Sequence, residues 1–123
     1  MKITNAKLKS LSYCLSLLKI TEDVSADNIL AIVKLRKEIQ GKAKDLSTSV
    51  EEVLKAYDLF GKTDEEVAKS ENNKVANDKI KDLMSKEVEL SSTNFLPMKE
   101  IRKSLDGLNT AQLELIIEYL VKE

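Results

Sequence analysis

Histidine and tryptophan are absent, and cysteine and proline occur once each, at Cys14 and Pro97. Glycine occurs only at Gly41, Gly61 and Gly107. Each scarcity closes a line of chemistry. Without His, no Ser-His-Asp or Cys-His arrangement can be assembled. Structural zinc needs clustered Cys and His. A lone thiol forms no internal disulfide, and Cys14 has no base to turn it into a thiolate. It falls among Leu11, Leu15 and Leu18 and reads as a small buried apolar side chain. Scattered glycines cannot cradle a phosphate, and Asp64-Glu65-Glu66 lacks the alternating acids of a calcium loop. No metal, no cofactor and no small-molecule substrate are expected.

Charge of one sign is also missing. The 20 basic and 21 acidic residues leave a formal net charge of −1, which gives no general affinity for nucleic acid or membrane. The local exception is Met1 to Ile20, with Lys2, Lys7, Lys9 and Lys19 and no acid. Lys7, Lys9 and Ser10 interrupt its apolar residues, so it is not read as a signal peptide. No run is long enough to span a bilayer. The segment reads as a basic amphipathic helix of a cytoplasmic protein.

What is abundant is Lys, Glu, Leu and Ala, the helix formers. The strongest pattern is an apolar ladder at steps of mostly three and four: Ile32, Leu35, Ile39, Leu46, Val50, Val53, Tyr57 and Phe60, with Ala43 filling the wide gap. It predicts a long helix from about Ala26 to Phe60, capped by Ser25 and laid against a partner helix. Thr48 with Glu51 and Ser49 with Glu52 match capping boxes and argue for a break, yet the ladder keeps its phase through them. One long helix, bent there, is favoured over two. Gly61 is positioned to end it in the left-handed conformation.

Before it, Leu8, Leu11, Leu15 and Leu18 line a first helix that starts near Thr4 or Asn5. After it, Thr63 and Glu66 form another capping box, and Glu65 to Asn77 reads as a loop or an exposed helix. Ile80, Leu83 and Met84 give a short helix over Ala76 to Lys86. Val88 and Leu90 then alternate with Glu87 and Glu89, as on a half-buried strand. Phe95 to Ile101 is the returning strand of a β-hairpin, held at an edge because Pro97 lacks an N–H. Asn109 with Gln112 caps a final helix striped by Leu113, Ile116, Ile117 and Leu120.

The expected fold is mainly α: an antiparallel, coiled-coil-like hairpin of long helices, a small C-terminal β-hairpin and a final helix. It is one domain, with the helical hairpin at 1–61, the loop or exposed helix at 62–75, and helix, β-hairpin and helix at 76–123. The first helix is shorter than the second, so the ladder's far end needs cover. The short helix, the C-terminal helix or a second copy of the chain would supply it.

Candidate functional residues follow from this layout. Val53, Tyr57 and Phe60 at the ladder's end, and Phe95 and Met98 on the edge strand, are candidates for binding another protein or a second copy in a homodimer. Lys34, Lys37, Lys42 and Lys44, with Arg36 among them, make the middle of the long helix basic and are the candidates for an alternative nucleic-acid role. Glu38 and Asp45 interleave with them, and no aromatic is there for base stacking. Glu51-Glu52 and Glu65-Glu66 are paired acids that a carboxylate-based hydrolase would use. Both pairs read as lying in first turns of helices, where acids serve the helix dipole. The chain is therefore read as non-enzymatic.

Met1-Lys2-Ile3, Lys34-Leu35-Arg36-Lys37-Glu38-Ile39, Leu83-Met84-Ser85-Lys86-Glu87-Val88-Glu89-Leu90 and the apolar stretch Leu113 to Leu120 occur in an order that resembles a family of small proteins of bacteriophages and prophages of low-GC bacteria. That family has no assigned activity. What the resemblance implies is context: a phage-encoded protein acting in the cytoplasm of a bacterial host or within a virion.

Overall fold

The computed structural model describes residues 1–122. In chain order they form β1 (Lys2–Thr4), α1 (Asn5–Leu17), α2 (Ala26–Ala56), α3 (Asp64–Lys69), α4 (Asn73–Ser85), β2 (Glu87–Glu89), β3 (Leu96–Pro97), α5 (Met98–Ile101), a 3-10 turn (Arg102–Leu105), α6 (Thr110–Leu120) and β4 (Val121–Lys122). The molecule is mainly α.

Helix starts are local events. The Thr4 hydroxyl accepts from the Lys7 amide at 3.2 Å, the Ser25 hydroxyl from Asn28 at 3.3 Å, and the Thr63 hydroxyl from Glu66 at 3.2 Å. Asn109 and Gln112 form a reciprocal capping box, both bonds at 2.9 Å. Each satisfies amides that the opening turn leaves without an intrahelical partner. Thr48 and Ser49, by contrast, start nothing. The α2 helix runs unbroken through them for 31 residues, and the Ser49 hydroxyl donates back to the Asp45 carbonyl at 2.9 Å.

The buried face of α2 carries Ile32, Leu35, Ile39 and Leu46. Leu8, Leu11, Cys14 and Leu15 of α1 pack against it. Arg36 meets the end of α1 at Leu15 and Leu18, while Lys9 and Ser12 share a hollow with Ala43 and Leu46. The two helices therefore run antiparallel, as expected. On the other side of α1 lies α6, also antiparallel: Lys7 pairs with Glu118 at 3.7 Å while Tyr13 shares a groove with Asn109. One core joins these helices with Ile3, Leu90, Leu96 and Ile101 from the short elements.

Part of the ladder's far end is covered within the chain, while Phe60 stays exposed. Helix α4 packs on α2, and Ala76 is buried there at 1 % exposure.

Three expectations need correction. The first concerns the C-terminal β-hairpin. A strand does form at Glu87–Glu89, but it pairs antiparallel with β1, Ile3 opposite Val88. The segment after Phe95 gives only Leu96–Pro97, paired in parallel with β4, Leu96 opposite Val121. Ser91 to Asn94 is no hairpin turn. Ser91 is held by Glu38, donating from its amide at 3.0 Å and from its hydroxyl. Asn94, at φ 55°, is held by the end of α6. The two strands leave in different directions, and Met98 begins a helix instead of extending the second one.

The second concerns the end of α2. It stops at Ala56, not at Phe60, and the left-handed residue is Asp58, φ 57°. Leu59 N–H donates to the Leu54 carbonyl at 2.7 Å and Asp58 N–H to Lys55 at 3.2 Å, the paired bonds of a Schellman motif. Leu59, at 3 % exposure, is the apolar residue that such a motif tucks inward, so Phe60 is turned out. Gly61 also has positive φ, 75°, but serves the turn beyond.

The third is the face of α6. Ile116, Tyr119 and Leu120 are buried, while Ile117 is 43 % exposed. The stripe read on Ile117 is rotated toward Tyr119, whose burial pushes its phenol up, with Glu118 adding to the effect.

Candidate interaction surface

Three glycines cannot close the six helices of the described residues, and the carbonyl ends of four of them receive side chains from other segments. Arg36 Nε and Nη2 donate to the carbonyls of Leu15 at 3.2 Å and Leu18 at 2.5 Å, at the end of α1. Asn72 Nδ2 donates to Tyr57 at 2.8 Å, at the end of α2. Asn5 Nδ2 donates to Leu83 at 2.8 Å, at the end of α4. Asn94 Nδ2 donates to Glu118 at 2.7 Å and Val121 at 2.9 Å, at the end of α6. The start of α2 is served in the same way. Glu100 accepts from the Ser25 amide at 2.7 Å and from Asn28 Nδ2 at 3.0 Å. Those bonds, the Ser25 amide first, hold the Glu100 carboxyl below its ordinary range. None of these donors stands out as a cap in the sequence. For Asn72 and Asn94, the signal that could have found them is the scarcity of glycine together with Asn in the connections Glu71-Asn72-Asn73 and Thr93-Asn94.

This framework decides which candidate residues reach the surface. Val53 and Tyr57 are half-buried, and Lys79 Nζ sits 5.4 Å from the centre of the Tyr57 ring. Phe60 is 50 % exposed, with Lys55 Nζ 5.0 Å from its ring. Tyr57 also lines a cleft of about 360 Å³ with Leu59, Lys62, Ser70 and Asn72. The tip of α2 thus brings two aromatic rings and several lysines into one neighbourhood. Phe95 and Met98 lie elsewhere, half-buried and packed on the core beside the β3–β4 pair. They do not join the tip.

The four lysines separate as well. Lys34, Lys37 and Lys44 are exposed on one side of α2. Lys42 is half-buried in a hollow with Asn5, Asp45 and Val88. Glu38 is turned toward Ser91.

The carboxylates are dispersed. Glu51 and Glu52 are exposed on α2, and Glu65 is paired with Lys69 at 2.8 Å. Among the described residues, no three of His, Cys, Asp and Glu are grouped to hold a metal ion. Glu22 is held below its ordinary value by a backbone hydrogen bond and then by Lys103. Glu89 is lowered by its bond to the N-terminal amine. Burial raises the Cys14 thiol, the opposite of what a nucleophile needs. No described helix is long and apolar enough to cross a membrane.

Comparison with protein-family models, with curated proteins and with solved structures finds no match.

Proposed function

We propose that the chain is a non-catalytic accessory protein, phage-encoded as its sequence resemblance implies, that works by binding another protein through the tip of α2. The observation that carries this reading is the placement of Phe60. A Schellman motif tucks Leu59 inward and leaves the Phe60 ring 50 % exposed beside half-buried Tyr57 and an open cleft. Aromatic side chains fixed at a surface are the commonest anchors of protein interfaces. The ring makes little contribution to the fold, so its substitution separates binding from stability.

The test is a photo-crosslinking amino acid placed at Phe60, with Thr48 as the control position, in extracts of the cells that make the protein. A crosslinked protein obtained at Phe60 and not at Thr48, and no longer captured by Phe60→Glu with an unchanged circular dichroism spectrum, supports the reading. Equal labelling from both positions, or capture that survives Phe60→Glu, refutes it.

A further inference from the structure

Helix α2 carries a second seam, opposite the buried one. Leu30, Val33, Lys37, Gln40 and Lys44 repeat at steps of three, four, three and four, and all five are exposed. Leu30, at 63 %, is the most exposed large apolar residue described, and Val33 is at 36 %. A single exposed Leu means little. Two apolar residues in phase with two lysines at seam spacing form a surface that another helix can read. At about 1.5 Å per residue the seam spans roughly 21 Å, or four turns.

Its charge is of one sign. Lys34, beside the seam, and Lys37 and Lys44 within it make no ion pair among the described residues. No acid lies on this face between Leu30 and Lys44. Glu38 is turned away to Ser91, and Asp45 lines the hollow with Lys42. Gly41 lies beside the seam, and a Cβ there would meet nothing within 4 Å, so a second helix can approach closely.

We infer that this face of α2 docks an amphipathic helix of a partner protein, one that is apolar where it meets Leu30 and Val33 and acidic where it meets Lys34, Lys37 and Lys44. Charge complementarity selects the acidic part, and the apolar pair selects a protein helix over a nucleic acid. A phosphate backbone has no use for Leu30, and the seam offers no aromatic for stacking bases. A lipid surface would need an apolar face along the whole seam, whereas only its first turn is apolar. The inference rests on the reading of the chain as a protein-binding module, but it uses a face distinct from Tyr57 and Phe60, and the two fail separately.

The probe is a synthetic helix of about 21 residues. It carries Leu at two successive seam positions and Glu at those that follow, made in both chain directions, with a control of the same composition scrambled out of phase. Binding to the full chain is read by fluorescence anisotropy at about 50 mM and 500 mM salt. Expected is binding by one of the two in-phase peptides, weakened about tenfold or more by salt, by Leu30→Ser and by the Lys37→Glu/Lys44→Glu pair, and unchanged by Phe60→Glu. These positions are exposed, so circular dichroism of the variants should match the parent. Failure of both peptides to bind, equal binding of the scrambled control, or indifference to Leu30→Ser overturns the inference. So does tighter binding of a DNA duplex or of anionic phosphatidylglycerol vesicles than of the peptides. Loss of binding on Phe60→Glu would move the site to the tip.

Discussion

Arg36 should stabilise the protein by closing a helix that has no closure of its own. Helix α1 ends without a Gly and without a basic residue in its last turn. Its carbonyls at Leu15 and Leu18 receive the two arms of the Arg36 guanidinium instead. Arg36→Met keeps the apolar stem and removes the fork. Hydrogen bonds from a charged donor contribute about 1.5–3 kcal/mol each when well enclosed. Arg36 is half-buried, which lowers that figure, and the favourable meeting of a cation with a helix C-terminus adds about 0.3–1 kcal/mol. The expected loss is about 2–3 kcal/mol, or roughly 6–15 °C in Tm for a chain of this size. Urea unfolding followed by circular dichroism measures it. Arg36→Lys retains the charge but offers one point and not a planar fork, so it should recover about half of the loss. Native-state hydrogen exchange should show the last turn of α1 opening first in Arg36→Met. A loss under about 0.5 kcal/mol, or Lys performing as poorly as Met, would refute the reasoning, because either result means that the two carbonyls are satisfied by water.

Asp58→Gly should raise stability by about 0.5–1 kcal/mol, since glycine takes the left-handed conformation at no steric cost, whereas Asp58→Val should lower it; thermal melts of the pair decide. Ile39→Ala, at a site with 0 % exposure, should cost about 3–4 kcal/mol in urea titration, while Leu30→Ala should stay within about 0.5 kcal/mol. The Glu100 carboxyl is lowered from an ordinary value of 4.5, so the folded state holds the charged form. Its contribution is complete above the ordinary carboxylate range and is lost as the pH falls through the lowered value. Glu22 and Glu89 act in the same direction. Tm should therefore be flat near neutrality and fall below about pH 4.5, and Glu100→Gln should shallow that fall; identical acid limbs for parent and variant would contradict the assignment.

Much of the architecture was legible in the residue pattern, because it rests on interactions within a few residues. The caps at Thr4, Ser25, Thr63 and Asn109 are local bonds to amides three positions on. The phase of Ile32, Leu35, Ile39 and Leu46 is a property of one helix. Those features determined a mainly α protein with α1 laid antiparallel on a long α2. Tertiary structure decided the rest. Whether Val88 pairs with Phe95 or with Ile3 depends on which strand lies beside it once α1 and α4 are docked, and that pairing links segments far apart in the sequence. Whether α2 ends at Ala56 or Phe60 depends on Leu59 finding a buried site and on Asn72 reaching the Tyr57 carbonyl. Of the candidate surface, the aromatic content of the α2 tip could be read in advance, but not that Leu59 would take the inward place and Phe60 the outward one. The Leu30–Lys44 seam was hidden for the same reason. Spacing reveals two faces of a helix, but only packing determines which of them is covered.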